Sequence, residues 1–376
     1  MKNIKQKLTS AVALTVFLSL QSTASFADVA IEQNNLFPSF LTNSSAAATE
    51  QANSSVQIKQ LEITVGNATS KIDYCLLDSE SAWSVDIVLA KTAVGSGEEL
   101  KSMTTRSGAV VGISGSDFQN YDNNKPKDPY GILVSRGRIL HTDSANCDAL
   151  IFSTDGKTEI ASLSITGTLS VGGKDYTINA VNHTPSQSTP TITIFDQSRG
   201  SNVGFNYGTN YIVQNGAVKK IQTNINSEIP QGGYVINVVG KNDALAAALK
   251  VNTAVKYSLS LKGYELKDIQ AALKVEKVLV KDSANALVAA QLSQSDNTAV
   301  NRTAIGWNKD GDLILIAGVR CDLTTLANCM VKAGAVQAVS LNGGASSGLF
   351  IDGNYLAEPL CDISNAIVFK ENILAQ

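Results

Sequence analysis

The chain has 376 residues, of which 44% are hydrophobic and 17% charged, and its formal charge is −3. This composition excludes a disordered or collagen-like chain and supplies enough apolar residues for one large or two ordinary domains. After the first 30 residues no apolar run is long enough to cross a bilayer, so we expect no membrane span once a leader is removed.

The first 27 residues have the three-part layout of an export signal. Three lysines among the first seven residues precede an apolar stretch over residues 11–20, and the small residues Ser25 and Ala27 follow. The apolar stretch is too short for a spanning helix, so the pattern predicts a signal peptide over residues 1–27 and a secreted or periplasmic protein. An uncleaved anchor is the alternative.

Signal removal takes away three lysines and no acidic residue, which changes the net charge from −3 to −6. An acidic protein without a basic run is a poor nucleic-acid partner. Residues 28–55 are rich in Ser, Ala, Asn and Gln and are interpreted as a flexible segment. A single domain is therefore predicted over residues 56–376, beginning near Val56.

Most of this domain is typical of short strands separated by Gly, Asn and Asp. Apolar residues alternate over 83–89, over 163–171 across Gly167, and over 255–261, which predicts strands with one buried face. Regular alternation of strands and helices is absent from the sequence. We therefore predict an α+β fold of mixed, mostly antiparallel sheets decorated by a few short helices.

Helical periodicity is clearest between the N-cap candidate Asp322 and Gly334, where apolar residues recur at spacings of three and four. This helix should lie on a sheet. Weaker patterns suggest short helices over 243–249 and over 268–273.

Five cysteines are an odd number, so at least one thiol is free or pairs between chains. Their spacing matches no metal site, and we predict no metal and no cofactor. A helix between Cys321 and Cys329 would separate them by roughly 12 Å, so each is expected to pair with a distant cysteine.

The segment from Asn301 to Asp352 is the most informative. It predicts a hairpin over 303–317 with Arg302 on its first strand, then the capped helix, then two short strands over 337–341 and 348–351. Between these two strands, Gly343 and Gly344 are followed by Ser346 and Ser347. Such a run can form an anion-binding nest of backbone N–H groups, and the alternative is a tight Gly-Gly hairpin.

The order of these elements resembles the C-terminal core of the phosphodiester glycosidase family. The resemblance rests on five stretches in sequence: 302–306, 310–316, 323–327, 334–335 and 341–347. This is the family of the lysosomal uncovering enzyme, which removes N-acetylglucosamine from a sugar phosphodiester, and of exported bacterial relatives. Looser similarities at 110–118, 129–138 and 178–182 extend the likeness over roughly residues 75–370.

The sequence resembles a divergent member of this family, because it departs from the family pattern at several positions. The family motif usually reads Leu-Asp-Gly-Gly, whereas position 342 is Asn, and its Asn-Gly loop corresponds to Ser114 and Gly115. An arginine of the family, expected shortly before the last strand, is replaced by Cys361 and Asp362. The glycine of the family's Asp-Gly-Arg at the end of the hairpin is displaced, which leaves 318–320 as Gly-Val-Arg.

The resemblance implies that Arg302 clamps a phosphate and that Asn342 and a carboxylate complete the catalytic group. Asn342 cannot act as a base, so Asp117 or Asp362 is the candidate substitute, and both could equally be solvated loop residues. The substrate contacts are then expected from Ser114, Gly115, Asn182, Gly343, Gly344, Ser346 and Ser347. A serine–histidine mechanism is disfavoured, because His141 and His183 lie outside any recognisable nucleophile motif.

Three functions remain open at this point. The first is an exported enzyme that hydrolyses a sugar-1-phosphodiester in a glycan or cell-envelope polymer. The second is a carbohydrate- or phosphoglycan-binding protein on the same scaffold, weakened in catalysis by Asn342. The third is an exported structural or adhesive module. The sequence specifies neither the sugar and its aglycone nor the oligomeric state.

Overall fold

The computed structural model describes residues 55–371, apart from 66–67, 82, 123 and 144–145. The predicted signal peptide and the predicted flexible segment lie outside the described residues, except for Ser55. The first strand begins at Val56, where the domain was expected to start. Within the described ranges, no helix has both the length and the apolar character needed to cross a bilayer.

Short strands make up most of the described chain. In chain order, β1 to β12 cover Val56–Val65, Ala68–Leu77, Trp83–Leu89, Val111–Ser114, Leu133–Ser135, Arg138–His141, Asn146–Ser153, Thr158–Val171, Lys174–Thr177, Ala180–Val181, Thr191–Phe195 and Thr209–Gln214. Strands β13 to β24 cover Ala217–Thr223, Gly233–Val239, Val255–Leu261, Ile269–Lys274, Lys277–Lys281, Ala284–Asn285, Val300–Trp307, Leu313–Cys321, Gln337–Ser340, Leu349–Ile351, Asn354–Ala357 and Asn365–Glu371. The alternating patterns at 83–89, 163–171 and 255–261 are confirmed as β3, the second half of β8, and β15.

Three short α-helices interrupt the strands, namely α1 (Leu100–Arg106), α2 (Asp243–Ala248) and α3 (Leu323–Lys332). Helix α3 is confirmed with its predicted cap, because the Asp322 carboxylate accepts a hydrogen bond from the Thr325 N–H at 2.7 Å. Gly334 follows its end with φ +95°. Single 3-10 turns occupy Ala90–Thr92, Gln197–Arg199, Leu266–Asp268, Ala289–Gln291 and Gly344–Ser346.

The predicted helix over 268–273 is wrong, since this segment is strand β16. It is hydrogen-bonded between β5 and β7, and four of its six side chains are buried. Burial on both faces erased the alternation that would have distinguished a strand from a short helix. The local propensity was overruled by pairing with neighbours far away in sequence.

The strands form four sheets, which we call A to D. Sheet A has the order β1-β2-β20-β19-β21-β17-β18, and sheet B the order β10-β11-β14-β12-β13. Sheet C has the order β15-β8-β7-β16-β5-β6 with β9 added beside β8, and sheet D the order β23-β22-β4-β24-β3. Every described pair of strands is antiparallel except β10 with β11. The fold is therefore sheet-rich and mostly antiparallel, as predicted, and the α+β label fits it only loosely.

One apolar core joins sheets A, C and D, with members such as Ile113 of sheet D, Leu273 of sheet C and Leu315 of sheet A. Helix α3 covers the other face of sheet A with Leu326 and Met330, which are fully buried. Helix α1 likewise covers sheet D. Sheet B forms a second, separate apolar core together with strands β8 and β15 of sheet C.

Strands β21 and β22 do not pair with each other. Strand β21 lies in sheet A between β19 and β17, whereas β22 lies in sheet D between β4 and β23. The diglycine segment is consequently a crossing between two sheets, and the alternative of a tight Gly-Gly hairpin is wrong. The five cysteines are all free thiols, so the expected pairing of Cys321 and Cys329 with distant cysteines is not found.

Candidate functional site

Two predicted site segments meet where β4 and β21 end. The backbone N–H of Asn342 donates to the Gly115 carbonyl at 3.1 Å. The Ser114 hydroxyl donates to the Ser346 carbonyl at 2.6 Å. Residues 227 and 232 positions apart thus meet, because sheets A and D bring the ends of their strands together.

Asn365, the first residue of β24, locks this junction. Its side-chain oxygen accepts the Ser116 N–H at 2.9 Å, and its backbone carbonyl accepts the Gly115 N–H at 3.1 Å. A β-carbon at position 115 would lie only 2.0 Å from that side-chain oxygen. Glycine is therefore required at position 115 by the close approach of Asn365.

Asn342 is fully buried within the junction. Its amide nitrogen lies 3.4 Å from the Ser116 carbonyl, whereas its Oδ1 is buried without a hydrogen-bond partner among the described residues. An unpaired buried acceptor is unfavourable by roughly 1–3 kcal/mol. A ligand hydroxyl or a water molecule that reached Oδ1 would remove this penalty.

The diglycine bend exposes a row of backbone donors. Within the described chain, the N–H groups of Gly343, Gly344 and Ala345 donate no hydrogen bond to another residue. Gly344 has φ +66°, which glycine adopts without strain, and Ala345 is exposed. Consecutive unpaired N–H groups are the donors of an anion-binding nest.

The three serines near this bend are occupied by the protein itself. The Ser347 hydroxyl accepts the Gly318 N–H at 2.9 Å and lies 2.7 Å from the Thr303 hydroxyl and 2.9 Å from the Arg302 carbonyl. Ser346 faces the Cys361 thiol at 3.6 Å, and Ser114 binds backbone carbonyls. These hydroxyls hold the bend in place, which leaves the backbone N–H groups as its outward donors.

Arg302 lies directly beside the bend, with its Cδ 3.9 Å from the position of a β-carbon at Gly343. Its Nη2 donates to the carbonyls of Ser295 at 2.7 Å and Thr298 at 2.9 Å, and its Nε to that of Cys321 at 3.2 Å. Only Nη1 has no partner among the described residues. Arg302 therefore anchors the loop over 293–298 and retains one nitrogen for a ligand.

Asp117 follows the junction on the β4 side. Burial, and then the negative charge of Glu276, raise the pKa of Asp117 to about 6, although the Phe118 N–H and Lys274 oppose the shift. Lys274 is itself paired with Glu276 at 2.9 Å. Two carboxylates and one ammonium group thus lie together, and Asp117 directly follows Ser116, whose carbonyl lies 3.4 Å from the Asn342 amide nitrogen. Glu276 and Lys274 were not predicted, because nothing near them in sequence relates them to Asp117.

In the part of the chain that the structure describes, two predicted residues, Asp362 and Asn182, make no hydrogen bond to Asp117, Asn342 or the bend. Asp362 is an exposed loop residue next to Cys361. Asn182 is buried in sheet B, where its side chain donates to the Leu140 carbonyl and to Asp196, each at 2.8 Å. Asn182 has φ +53° and connects sheets B and C, and no contact joins it to the bend.

A second polar group was not predicted from the sequence. His141 Nε2 lies 3.2 Å from His183 Nδ1, which is 3.9 Å from Asp128, and Asp128 pairs with Arg199 at 2.6 Å. The sequence places both histidines outside any recognisable nucleophile motif and does not relate them to each other. Only the pairing of β6 with β5, and the bridge between Thr142 and Val181, bring the two rings together.

Solved structures support the fold. A hypothetical protein from Synechocystis matches with a TM-score of 0.72 and 21% identity over 84% of this chain, which spans 62% of that protein's length. A predicted exported protein from Burkholderia pseudomallei matches with a TM-score of 0.66 and 20% identity, over 80% of this chain and 74% of the other. The catalytic domain of zebrafish N-acetylglucosamine-1-phosphodiester alpha-N-acetylglucosaminidase, auto-inhibited by its pro-peptide, gives a TM-score of only 0.47 and 12% identity over 87% of each chain.

No curated protein sequence matches the chain significantly. The model of the phosphodiester glycosidase family, by contrast, matches residues 207–370. This range includes Arg302, Asn342 and the diglycine bend, and it excludes Ser114, Gly115 and Asp117. Residues 207–370 therefore match the phosphodiester glycosidase family, and the resemblance inferred from the sequence motifs is confirmed.

Proposed function

We propose that this protein is an exported hydrolase of a sugar-1-phosphodiester in a glycan or cell-envelope polymer. The observation that carries the proposal is the row of unpaired N–H groups at Gly343, Gly344 and Ala345 beside the Arg302 side chain. These donors suit a phosphate oxygen, and they lie within the segment that matches the family. A phosphodiester bears one negative charge, which suits the nest, and Arg302 Nη1 is the second donor that we assign to it.

The reaction breaks the bond between the anomeric carbon and the bridging oxygen, and water supplies the new hydroxyl group. The leaving group is a phosphate monoester, a good anion, so stabilising its charge matters more than donating a proton to it. Asp117 is the carboxyl group we assign to water activation. With a pKa of about 6 it is mostly ionised at pH 7 and remains a usable base.

Export is part of the proposal. It rests on the signal layout of residues 1–27 and on the likeness to a predicted exported protein from Burkholderia pseudomallei. N-terminal sequencing of the secreted or periplasmic protein should give a first residue at Asp28. A first residue at Met1 would show that the segment is retained.

A second function is favoured by one observation, namely the amide at position 342 in place of the family's Asp. With no ionisable group there, the same scaffold would bind a phosphoglycan without hydrolysing it. The unpaired Oδ1 of Asn342 could accept a hydrogen bond from a sugar hydroxyl.

The nest can be tested at Ala345, whose side chain is exposed. Ala345→Pro removes one N–H donor, while Ala345→Ser changes the side chain and keeps it. With an N-acetylglucosamine-1-phosphodiester as ligand, we expect Ala345→Pro to weaken binding about tenfold or more, because a hydrogen bond to an anion contributes about 1.5–3 kcal/mol. Calorimetry measures the affinity, and equal weakening by both variants would contradict the nest.

Hydrolysis separates the two functions. Sugar release by the wild type, reduced about 10²-fold or more in Asp117→Asn, would support the enzyme. Release only after Asn342→Asp would favour the binding protein. Arg302→Ala is less informative alone, since it also frees the loop over 293–298. If no form of the protein released the sugar or bound the phosphodiester, only the structural module would remain as a function.

A further inference from the structure

A cleft of about 480 Å³ opens beside the group formed by His183, His141 and Asp128. Its lining includes Gln119, Asp128, Tyr130, His183 and Tyr207. Tyr130 connects it to the candidate site, because its N–H donates to the Asp117 carbonyl at 2.9 Å. The cleft is thus next to Asp117, and of its lining only Tyr130 falls within a stretch that the sequence motifs singled out.

The inner wall of the cleft is rigidly held. The side chains of Asp128 and Arg199 are almost fully buried and form an ion pair at 2.6 Å. The second oxygen of Asp128 accepts the Thr184 N–H at 2.7 Å, and Arg199 also donates to the Thr184 hydroxyl and to the Asn182 carbonyl. Burial opposes ionisation of Asp128, but the charge of Arg199 and the Thr184 donors hold its pKa below the usual value. Asp128 is therefore a fixed anion already supplied with donors.

The hydrogen bonds determine the tautomer of both histidines. His141 Nδ1 lies 2.8 Å from the Gly131 carbonyl and must donate its proton to it. Burial, and then the neighbouring His183 ring, lower the pKa of His141 to about 4, so His141 is neutral at pH 7 and its Nε2 carries a lone pair. That lone pair requires a donor, which is the Nδ1–H of His183 at 3.2 Å.

This leaves Nε2 of His183 as the outward atom of the pair. The His183 side chain is 26% exposed and lines the cleft, and its Nε2 makes no hydrogen bond within the described residues. In the neutral ring, Nε2 is a hydrogen-bond acceptor because the proton is on Nδ1. A second acceptor in the lining, Gln119 Oε1, is buried and has no partner in the described part of the chain.

We propose that this cleft binds a neutral saccharide, whose hydroxyl groups donate to His183 Nε2 and Gln119 Oε1. Two unpaired acceptors beside a fixed carboxylate favour a ligand that donates protons. The Lys125 ammonium group in the lining pairs with Asp122 at 3.7 Å. The rings of Tyr130 and Tyr207 offer apolar surface to the carbon face of a sugar. The choice of a saccharide rests on the proposed function, because the saccharide would be the part of the glycan next to the phosphodiester. The pattern of acceptors is independent of the proposed function.

The imidazole nitrogens give a direct test, since the chain has only two histidines. Long-range ¹H–¹⁵N spectra of the untagged protein at pH 8 should show both rings protonated on Nδ1. Addition of N,N′-diacetylchitobiose or maltose should shift the Nε2 signal of one ring, and inorganic phosphate should not. A His183 ring protonated on Nε2, or no shift with 10 mM of either disaccharide, would overturn the proposal.

Variants locate the site. Gln119→Met keeps the length of the side chain and removes its acceptor, and we expect about tenfold weaker disaccharide binding, with Gln57→Met on the exposed side of β1 as the matched control. His183→Asn retains the inward contact to His141 and should weaken binding, whereas His183→Gln retains an outward polar group and should restore part of it. Equal affinities in all four variants would contradict the assignment.

The proposed function and the saccharide cleft can each be contradicted without contradicting the other. Phosphodiester hydrolysis without any disaccharide effect on the histidine rings overturns the cleft assignment and leaves the proposed function. Disaccharide binding without hydrolysis, lost in Gln119→Met, supports the cleft assignment and removes the enzymatic function.

Discussion

Asp117 and Asn342 show how burial decides the chemistry of single residues in this site. Both lie at strand ends that meet only through the junction of sheets A and D. Asn342 is fully buried next to the Ser116 carbonyl, so an ionised group there would be poorly solvated. Asp117 keeps its carboxyl group but with a pKa raised to about 6. In our proposal, the ionisable role has moved from the motif position to a neighbouring loop.

The raised pKa of Asp117 predicts a dependence of stability on pH. The folded protein holds this proton more tightly than the unfolded chain, so the free energy of unfolding should fall as pH rises from about 4 to about 6. The shift corresponds to at most about 3 kcal/mol. Urea denaturation of the wild type and Asp117→Asn across this range measures the difference. A constant difference between the two proteins from pH 4 to pH 7 would contradict the raised pKa.

The same reasoning applies to Asn342→Asp. The new carboxylate would face the Ser116 carbonyl and lose the amide donor, so we expect a loss of about 1–3 kcal/mol in the free energy of unfolding at pH 7. Burial raises the pKa of such a group, and the loss should therefore become smaller as pH falls. Thermal denaturation at pH 7 and pH 5 tests this expectation, and an equal loss at both values would be inconsistent with it.

At the scale of elements, helix α1 is tied to the strand that supports the site. Glu98, just before α1, pairs through its backbone with Ile363, two residues before Asn365. Its carboxylate binds Arg106 at 2.8 Å, the Ser102 hydroxyl at 2.5 Å and the Lys91 N–H at 2.6 Å. Burial opposes ionisation, but these donors lower the pKa of Glu98 to about 2. One residue, Glu98, thus joins the helix and the preceding turn through its carboxylate and the segment before β24 through its backbone.

Glu98→Gln should therefore destabilise the protein by about 2 kcal/mol at pH 7, since the Arg106 side chain is partly exposed and solvent weakens the pairing. The stabilising contribution of Glu98 is present above its ordinary pKa and is lost as pH falls from about 4.5 to about 2. Denaturation at pH 7 and pH 3 measures the variant against the wild type. Exposed Glu62→Gln on β1 is the control and should have little effect at either pH.

At the scale of the molecule, sheets A, C and D share one core, whereas sheet B has its own. Asp128, Asn182 and Arg199 connect sheet B to the remainder through buried polar contacts. The buried Arg199–Asp128 ion pair, at 2.6 Å, is the shortest of these contacts. This ion pair holds the wall of the cleft beside His183, and the hydrogen bond from Arg199 to the Asn182 carbonyl holds the turn at Asn182.

Removal of the Arg199 side chain should strongly destabilise the folded protein. Arg199→Met leaves the Asp128 carboxylate buried and unpaired, so we expect a loss of about 3–5 kcal/mol in the free energy of unfolding. The double variant with Asp128→Asn should be less destabilised than the single variant. Arg138→Met is the control, because its exposed guanidinium lies 3.4 Å from Asp196 and should contribute less than about 1 kcal/mol. Chemical denaturation of the four proteins decides the outcome.

The sequence by itself determined the local elements of the C-terminal part. The capped helix α3, the β19–β20 hairpin and the order of motifs up to Ser347 depend on spacing within a few residues, which a single chain displays directly. These features sufficed to identify the family that matches residues 207–370. The helix predicted over residues 268–273 is wrong, because burial on both faces removes the periodicity that distinguishes a strand from a helix.

Only the tertiary structure decided which residues share a site. It brought Gly115 to Asn342 and Glu276 to Asp117, and it joined His141 to His183 across 42 residues. It also showed that the serines of the bend are used internally and that Arg302 retains a single nitrogen for a ligand. Strand pairing between distant segments fixes these contacts, and its register is set by the combined burial of several sheets, which no local window of sequence contains.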